Sequence, residues 1–347
     1  MYATQRATIK QVALEAGVST QTVSRVLNSR PDVSPETRLR VQRVIERLAY
    51  QPSAVARSLI RKRTHTIGVV GAGLEYFGPS RTLAGIERQA ADLGFSVLLT
   101  LLHEPETDDL RPVLSDMLSH QVEGIIWAAP EIADNRSWID KVEQPAVPIV
   151  FLTMEPRSGS TVVSIDNREG GRLAAQHLLA HGRMHIALVT GPLTWWEARE
   201  RQLGWEEALN GAGLTAKPRQ IVEGNWSPES GALAFTRLQA QFPEMDAVFA
   251  SNDQMAQGIL HAAWKDNVRV PQDLAVVGFD DIPEASYSIP PLTTIRQETN
   301  ELGRAAVRAL GQLIATWHEA RKTQTDPAIA AQSVKLEPRL VVRSSSL

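Results

Sequence analysis

Four residues of the sequence have types that suit a sugar, and three of them stand where strands are expected to end. Asn252 and Asp280 follow apolar runs, and Arg201 lies in a helical pattern after a Gly-Pro turn. Arg, Asn and Asp offer planar donors and acceptors to vicinal hydroxyls, and Trp226 offers an apolar face to a pyranose. The set predicts a saccharide site. Local capping is the alternative role for Asn252 and Asp280, and ordinary packing is the alternative for Trp226.

A short helical pattern near the N-terminus carries polar residues of a second kind, suited to DNA. Ser19 is placed to cap this pattern, and Val23 and Val26 mark its apolar face. Gln21 and Arg25 fall outside that face. Glutamine can bond adenine at two points, and arginine can bond guanine in the same manner. The segment therefore predicts a helix that reads base edges in the major groove.

The elements around this helix predict a helix-turn-helix. Thr8 and Gln11 form a capping-box pair at the start of a first helix, and Gly17 stands where that helix would end in a left-handed residue. Ser34 and Pro35 mark the start of a third helix. The expected apolar core of the third helix is Leu39, Val41, Val44, Ile45 and Leu48.

The charge of the 347-residue chain is divided unevenly. Its net charge of −3 combines +8 over residues 1–63, where 12 Lys and Arg face 4 Asp and Glu, with −11 over the remainder. A basic segment on an acidic body is the distribution expected of a DNA-binding domain attached to a second function. The length suffices for two or three domains. The absence of cysteine excludes disulfides and thiolate metal sites.

Apolar strand-like runs alternate with helical patterns beyond residue 66. These runs are TIGVVG, FSVLLTLL, EGIIWAA, PIVFLT, HIALVTG, DAVFAS and DLAVVGF. Such alternation predicts an α/β fold in which parallel sheets are covered by helices on both faces. Ligands of such sheets bind beyond the carboxyl ends of the strands.

Other chemistries have little support in the sequence. Gly71-Ala72-Gly73 resembles a dinucleotide-binding turn, but Tyr76 occupies the position of the third glycine. Zinc-ligand spacing, a P-loop and a Gly-x-Ser-x-Gly motif are missing, so we expect no metal, no cofactor and no enzymatic activity. No apolar run reaches the length of a membrane span, and the first ten residues lack the apolar core of a secretory signal. A cytoplasmic protein is therefore expected.

An ordered set of segments gives the chain a specific resemblance. They are TIKQVALEAGVSTQTVSRVLN, VSPETRLRVQRVIERLAYQPSAVARSL, THTIGVVG, HIALVTGP, FASNDQMAQGIL, VVGFDD, PPLTTIRQ and PRLVVR. In this order they resemble the LacI/GalR family of bacterial transcription regulators over nearly the whole chain. The resemblance implies an all-α helix-turn-helix head and a periplasmic-binding-protein-like body. The body would have two doubly wound parallel-sheet subdomains joined by three crossovers.

The resemblance also implies how the chain is divided. Residues 1–51 would form the DNA-binding head, 52–65 a hinge helix and linker, and 66–347 the effector-binding and dimerisation domain. Within that domain, the N-subdomain would take 66–165 and 295–326, and the C-subdomain 166–294 and 327–347.

Contacts with DNA are implied for two parts of the chain. In the head they fall on Thr8, Ser19, Thr20, Gln21, Thr22, Ser24, Arg25 and Asn28. In the hinge they fall on Ser53, Ala56, Arg57 and Leu59. Leu59 matches the side chain that wedges into a base step of the minor groove. Ser53 departs from the asparagine that is more common in the family.

The resemblance implies sugar contacts at Arg201, Trp226, Asn252 and Asp280. Neighbouring pocket positions are Tyr76, Ala128, Thr153, Trp195 and Gln297. Thr153 stands where the pattern has an acidic ligand, and Trp127, Trp195 and Trp196 are aromatic additions to it. Trp195 and Trp196 are expected to close the cleft. Loss of a carboxylate and gain of aromatic rings indicate a saccharide that differs from galactosides in size or substitution.

A homodimeric repressor that a sugar releases from double-stranded operator DNA is the function implied. The sugar would favour one angle between the subdomains, and the hinge helices on DNA would favour another. Binding of the sugar would therefore weaken binding of the DNA. No leucine heptads follow PRLVVR, so a dimer is expected. Three alternatives remain, namely a corepressor-type regulator, a sugar-binding transport protein and an enzyme. The Arg/Asn/Asp/Trp set disfavours the first, and the basic head disfavours the second.

Overall fold

The computed structural model describes residues 7–27, 30–50, 63–107, 110–133, 135–139, 146–323 and 331–347. The chain divides into two compact units, Met1–Thr64 and His65–Leu347. The hinge expected over 52–65 lies almost wholly outside the described residues, and so do its predicted DNA contacts Ser53, Ala56, Arg57 and Leu59.

The first unit is the predicted helix-turn-helix. Its helices are α1 (Ile9–Ala16), α2 (Thr20–Leu27) and α3 (Pro35–Arg47). The capping box at the start of α1 is present, and Gly17 ends that helix at φ 62°. The buried core of the unit consists of Val12, Ala13, Ala16, Val23, Val26, Val33, Val41 and Val44.

The expectation that Leu39 belongs to this core is wrong. Leu39 is 55% exposed, whereas Val41 is fully buried. Successive helical residues are about 100° apart, so a residue two positions away points to nearly the opposite side. Val41 and Val44 define the inner face of α3, and Leu39 therefore lies on its outer face.

The second unit is built from alternating strands and helices. Its strands are β1 (Thr66–Gly71), β2 (Ser96–Leu101), β3 (Ile125–Trp127), β4 (Ile149–Leu152), β5 (Thr161–Ile165), β6 (Ile186–Thr190), β7 (Ile221–Glu223), β8 (Ala247–Ala250), β9 (Ala275–Asp280), β10 (Thr293–Arg296), β11 (Ser333–Leu336) and β12 (Arg339–Val341). Its helices are α4 (Phe77–Asp92), α5 (Arg111–Ser119), α6 (Asn167–Ala180), α7 (Trp196–Gly211), α8 (Pro228–Gln241), α9 (Asp253–Lys265) and α10 (Thr299–Thr323). No described helix is long and apolar enough to cross a membrane.

The strands form two six-stranded sheets, which define two subdomains. The N-subdomain sheet has the order β11-β5-β4-β3-β1-β2, and the C-subdomain sheet has the order β12-β10-β9-β8-β6-β7. All neighbours are parallel except β10 and β12. The α/β architecture with two doubly wound parallel sheets is thus as predicted.

Two of the predicted subdomain boundaries are wrong. β10 pairs with β9 in the C-subdomain sheet, so the crossover follows Arg296 instead of preceding residue 295. β11 pairs with β5 in the N-subdomain sheet, although residues 327–347 were expected in the C-subdomain. Val334 and Leu336 explain this placement, because they pack against the apolar core of the N-subdomain.

Pairs of glycines let neighbouring helices of the body touch backbone to backbone. A Cβ atom on Gly204 of α7 would lie 1.9 Å from the carbonyl oxygen of Arg168 on α6. A Cβ atom on Gly171 of α6 would lie 2.1 Å from the carbonyl oxygen of Arg201. The two helices therefore cross at a point that admits no side chain, and this crossing fixes the segment of α7 that carries Arg201.

Candidate functional site

The body has a cavity between its two subdomains, at the carboxyl ends of their strands. All nine residues predicted for effector binding line it, namely Tyr76, Ala128, Thr153, Trp195, Arg201, Trp226, Asn252, Asp280 and Gln297. Residues that the sequence did not single out also line it, among them Phe77, Asn167, Glu197 and Gln254. The structure thus brings the predicted set together, and their roles toward a ligand stay a prediction.

Arg201 is the buried cation of the cavity. Its Nε donates to Oδ1 of Asn167 at 2.8 Å, and its Nη1 donates to the carbonyl oxygen of Ser251. Its guanidinium carbon lies 3.8 Å from the ring centroid of Phe279 and 5.6 Å from that of Trp226. Burial lowers the pKa of Arg201, and the Asp280 carboxylate opposes this shift. The guanidinium is therefore held in one orientation by groups from several elements.

Asp280 is the carboxylate opposite this cation. It ends β9 with φ 119°, and its Oδ1 accepts a hydrogen bond from Nε2 of Gln297 at 2.5 Å. Burial raises the pKa of the carboxyl to about 6, although Arg201 and Gln297 act in the opposite direction. The site therefore pairs a fixed guanidinium with a carboxyl group that still has a second oxygen to offer.

Asn252 lines the cavity and also holds the backbone of Trp226, another residue of the lining. Its Oδ1 accepts from the backbone N–H of Met255 at 2.9 Å, and its Nδ2 donates to the carbonyl oxygen of Trp226 at 2.9 Å. Asn252 therefore caps α9, the local role that the sequence left open for it, and Asp253, the first residue of that helix, does not. Asp253 instead accepts from the Thr294 hydroxyl at 2.5 Å, and burial raises its pKa well above its usual value.

Aromatic side chains form one wall of the cavity. Trp195 makes edge-to-face contacts with Trp226, at 5.7 Å between ring centroids, and with Tyr76, at 6.1 Å. Trp226 adopts φ 71° and fills the space in front of Gly191, where a Cβ atom would meet its ring at 2.2 Å. This wall offers apolar faces and edges of the kind that suit the C–H side of a sugar ring.

The other tryptophans have different roles from those expected. Trp127 is fully buried in the N-subdomain, where its ring lies 5.2 Å from that of Trp138, and it does not line the cavity. Trp196 is buried and lies outside the cavity lining as well. Its backbone N–H donates to the carbonyl oxygen of Glu131 at 3.0 Å. Of the expected closing pair, only Trp195 faces the cavity.

A short backbone bridge links the two subdomains beside the cavity. Ile132 of the N-subdomain and Trp195 of the C-subdomain form an isolated antiparallel bridge. The N–H of Ala133 donates to the carbonyl oxygen of Thr194 at 2.8 Å. The start of α7 is therefore tied to the N-subdomain at the edge of the candidate site.

Two partly buried carboxyl groups of the cavity make the stability of the body depend on pH. Burial raises the pKa of Glu197 to about 7 and that of Asp280 to about 6. The unfolded chain, with ordinary carboxyl pKa values, binds fewer protons than the native protein between about pH 4 and pH 7, so stability falls as pH rises through this range.

Urea unfolding of the protein without ligand at pH 5, 6 and 7.5 measures this loss. We expect Glu197→Gln to remove the part of the decline nearest pH 7, and Glu87→Gln, on the exposed face of α4, to leave the decline intact. A decline of equal size in wild type and Glu197→Gln would contradict the assignment.

The described DNA contacts predicted for the head fall into three groups. Thr20, Gln21 and Arg25 are exposed on α2, and Nη1 of Arg25 lies 3.5 Å from Oδ2 of Asp32. The side chains of Thr8 and Ser19 accept hydrogen bonds from the backbone at the starts of α1 and α2. Thr22 and Ser24 are partly buried on α2, and Asn28 lies outside the described residues. The exposed group therefore forms the surface best placed to meet bases.

Two protein-family models match separate parts of the chain. Residues 8–53 match bacterial regulatory proteins of the lacI family, and residues 175–346 match a periplasmic binding protein-like domain. The ribose operon repressor of Escherichia coli K12 is 36% identical over 341 residues, which cover 98% of this chain and 100% of that protein. The transcriptional repressor PurR of Mannheimia succiniciproducens is 36% identical over 98% of each chain. The E. coli lactose operon repressor is 35% identical over 88% of this chain and 84% of its own.

Solved structures resemble the chain over almost its whole length. A lac repressor dimer bound to operator and the anti-inducer ONPF has a TM-score of 0.87 at 32% identity, covering 99% of this chain and 100% of that one. A complex of the transcriptional regulator CelR with cellobiose has a TM-score of 0.71 at 30% identity, covering 98% and 100%.

Proposed function

The chain belongs to the lacI family of bacterial regulatory proteins, and we propose that it is a repressor which a saccharide releases from operator DNA. The observation that carries the proposal is the convergence of the nine predicted effector residues on one cavity. The same chain has a helix-turn-helix head. A regulator that acts in the cytoplasm, where its DNA lies, accounts for both features without enzymatic activity.

A saccharide is the ligand class that the cavity favours. Arg201 and Asp280 present a donor and an acceptor to vicinal hydroxyls, and Trp195 and Trp226 present aromatic surface to a ring. Relatives named for ribose and lactose operons, and a neighbour bound to cellobiose, support this class. PurR relatives leave a purine corepressor as the alternative, and its expected effect on DNA affinity has the opposite sign.

Coupling to DNA is proposed to run through the relative position of the subdomains. The cavity is lined from both, and the bridge between Ile132 and Trp195 joins them at its edge. A ligand that binds one arrangement better shifts the equilibrium toward it. In this proposal residues 52–65 form the hinge that orders on DNA in the other arrangement, and Leu59 inserts into the minor groove.

A second copy of the chain is the proposed partner of an exposed apolar surface on the C-subdomain. Trp264, Tyr287 and Ile289 border one groove and are 75%, 85% and 91% exposed. The lac repressor neighbour is a dimer, which supports a second copy as the occupant. Burial of such aromatic side chains supplies much of the energy of an interface.

Tyr287→Asp should therefore dissociate the dimer. We expect its dimer dissociation constant, measured by sedimentation equilibrium, to rise at least about 30-fold, because central aromatic side chains contribute most to interfaces. Leu233→Asp is the matched control, since Leu233 is 56% exposed on α8, away from this groove. Equal dissociation of both variants, or of neither, would contradict the proposed surface.

The base-reading role of α2 is tested on duplexes selected from a randomised library at about 150 mM salt. Gln21→Ala should lower the preference for the selected sequence by roughly 1–3 kcal/mol, the discrimination of one two-point contact. Gln42→Ala removes the same side chain from an exposed position of α3 and should retain the preference. If Gln21→Ala also keeps the full preference, the assignment of α2 fails.

A further inference from the structure

Glu197 carries an oxygen in the candidate site that has no partner. It is the second residue of α7, and it lines the same cavity as Arg201 and Asp280. Its Oε2 is inaccessible to solvent and makes no hydrogen bond to any residue that the structure describes. Leaving such an acceptor unpaired costs free energy, which a donor from a bound ligand would recover.

The neighbouring cations do not satisfy this oxygen. Arg201 uses Nε and Nη1 for Asn167 and the carbonyl oxygen of Ser251. Arg136, from the loop that follows β3, donates to Asn135 and to the carbonyl oxygen of Ala129. Both guanidinium groups act on Glu197 through their charge alone.

The facing carboxylate of the N-subdomain is already occupied. Glu131 accepts from Arg157 at 2.7 Å and from the backbone N–H of Glu155 at 2.7 Å. On this side of the cavity Glu197 therefore carries an acceptor that remains to be satisfied, while Asp280 accepts from Gln297 with one of its two oxygens.

We infer that Glu197 accepts a hydrogen bond from the effector and thereby selects ligands that present a hydroxyl or ammonium donor, against ligands that present an anion. This inference rests on the proposed function and specifies its ligand class. Two partly buried carboxyl groups, Glu197 and Asp280, line the cavity beside the Arg201 guanidinium, whose Nε and Nη1 already donate within the protein. Above about pH 7, where both carboxyl groups are ionised, an added phosphate or carboxylate would meet repulsion from both in a poorly solvated site.

The position of Glu197 also couples this contact to the subdomain bridge. The residue directly before it, Trp196, donates to the carbonyl oxygen of Glu131 in the N-subdomain. A ligand held by Glu197 is therefore held at the point where α7 meets the other subdomain. Its binding should depend on the subdomain angle that the bridge maintains.

Matched probes test the inference by calorimetry on the full chain. The neutral probes are D-glucose, D-galactose, D-ribose, cellobiose and lactose, the cationic probe is D-glucosamine, and the anionic probes are D-glucose 6-phosphate and D-glucuronate. We expect the neutral or cationic probes to bind, and each anionic probe to bind at least about tenfold more weakly than D-glucose. Comparison of D-glucosamine with D-glucose shows whether an ammonium or a hydroxyl is preferred.

Two substitutions of Glu197 separate ligand contact from a structural role. Glu197→Gln and Glu197→Ala should each lower, at least about tenfold, the affinity for the neutral sugar that binds, and Glu87→Gln should leave that affinity unchanged. Ionised Glu197 is the better acceptor, so the affinity of wild type for that sugar should rise from pH 6 to pH 8. The isosteric Glu197→Gln should lose the part of this rise in affinity that lies above about pH 6, where Asp280 titrates. The charged neighbours Arg136, Arg201 and Glu131 are the same in this variant and in wild type.

The possible outcomes separate this inference from the proposed function. An anionic probe that binds as tightly as D-glucose, or unchanged affinity in both Glu197 variants, would overturn the role of Glu197. If that probe also released the selected DNA, the proposed function would stand without the inference. Binding of none of the probes would count against the saccharide-responsive function itself and against Glu197 with it.

Discussion

Asp280→Asn is expected to abolish most of the response to the saccharide while leaving a folded, DNA-binding protein. Asparagine tolerates the positive φ of this position and can still accept from Gln297. It lacks the charge that strengthens a hydrogen bond to a sugar hydroxyl. The concentration of sugar that releases half of the selected DNA should rise roughly 10- to 100-fold.

Asp273→Asn is the matched control for this prediction. Asp273 is a carboxylate of the same subdomain, paired with Arg269 on the surface and far from the cavity lining. Its replacement should leave the release curve within about twofold of wild type. A release curve of Asp280→Asn that overlays the wild-type curve would remove Asp280 from the effector site.

Gly204→Ala is expected to be among the most destabilising single-methyl changes in the body. The added Cβ atom would lie 1.9 Å from the carbonyl oxygen of Arg168, a backbone atom that cannot rotate away. The two helices would have to move apart, at a cost of about 3 kcal/mol, the upper part of the range for overpacked interiors. For a domain of this size the melting temperature should fall by roughly 6–12 °C.

Gly211→Ala on the same helix serves as the control with the opposite sign. A Cβ atom at Gly211 meets no atom of the described residues within 4 Å. Alanine is the better helix former, so this variant should match wild type or gain up to about 1 kcal/mol. If Gly204→Ala and Gly211→Ala have the same melting temperature, the backbone contact between α6 and α7 is looser than the structure has it. Gly204→Ala should also weaken sugar binding, because the crossing positions Arg201.

Local signals were sufficient to predict the head. Each signal acts through bonds and angles within a few residues, and each marks a helix end in the structure. These signals are the pair Thr8 and Gln11, the single residue Gly17, and the pair Ser34 and Pro35. Leu39 was misplaced because apolar character alone does not identify the face of a helix that is buried. Its neighbour Val41 packs into the core, and Leu39 is consequently on the other side.

The cavity lining could be predicted because parallel strands deliver their carboxyl ends to one edge. Asn252 and Asp280 follow apolar runs that became β8 and β9, and family resemblance supplied the more distant Tyr76 and Gln297. The separate roles of the residues within the site could not be predicted in this way. Capping by Asn252 was an alternative that the sequence left open, whereas the burial of Asp253 depends on its contact with Thr294, which no local pattern contains.

Three features of the structure depend on long-range packing and could not be predicted from the sequence. β5 was not anticipated, and with it Asn167, which follows that strand and holds Arg201. The chain passes between subdomains after Arg296 and again after Leu336, where strand pairing decides the sheet. Glu197 was not singled out, because an acid in the first turn of a helix is common, and only the folded cavity reveals its unpaired oxygen.

Fluorescence anisotropy of a labelled duplex tests the central claim most directly. The duplex is selected from a randomised library and titrated with the full chain at about 150 mM salt, with and without the neutral sugar that binds most tightly. The account predicts at least about 1,000-fold preference over a scrambled duplex, and a loss of at least about fivefold in affinity when the sugar is present. Equal affinity for both duplexes, or DNA binding that the sugar strengthens or leaves unchanged, would contradict it.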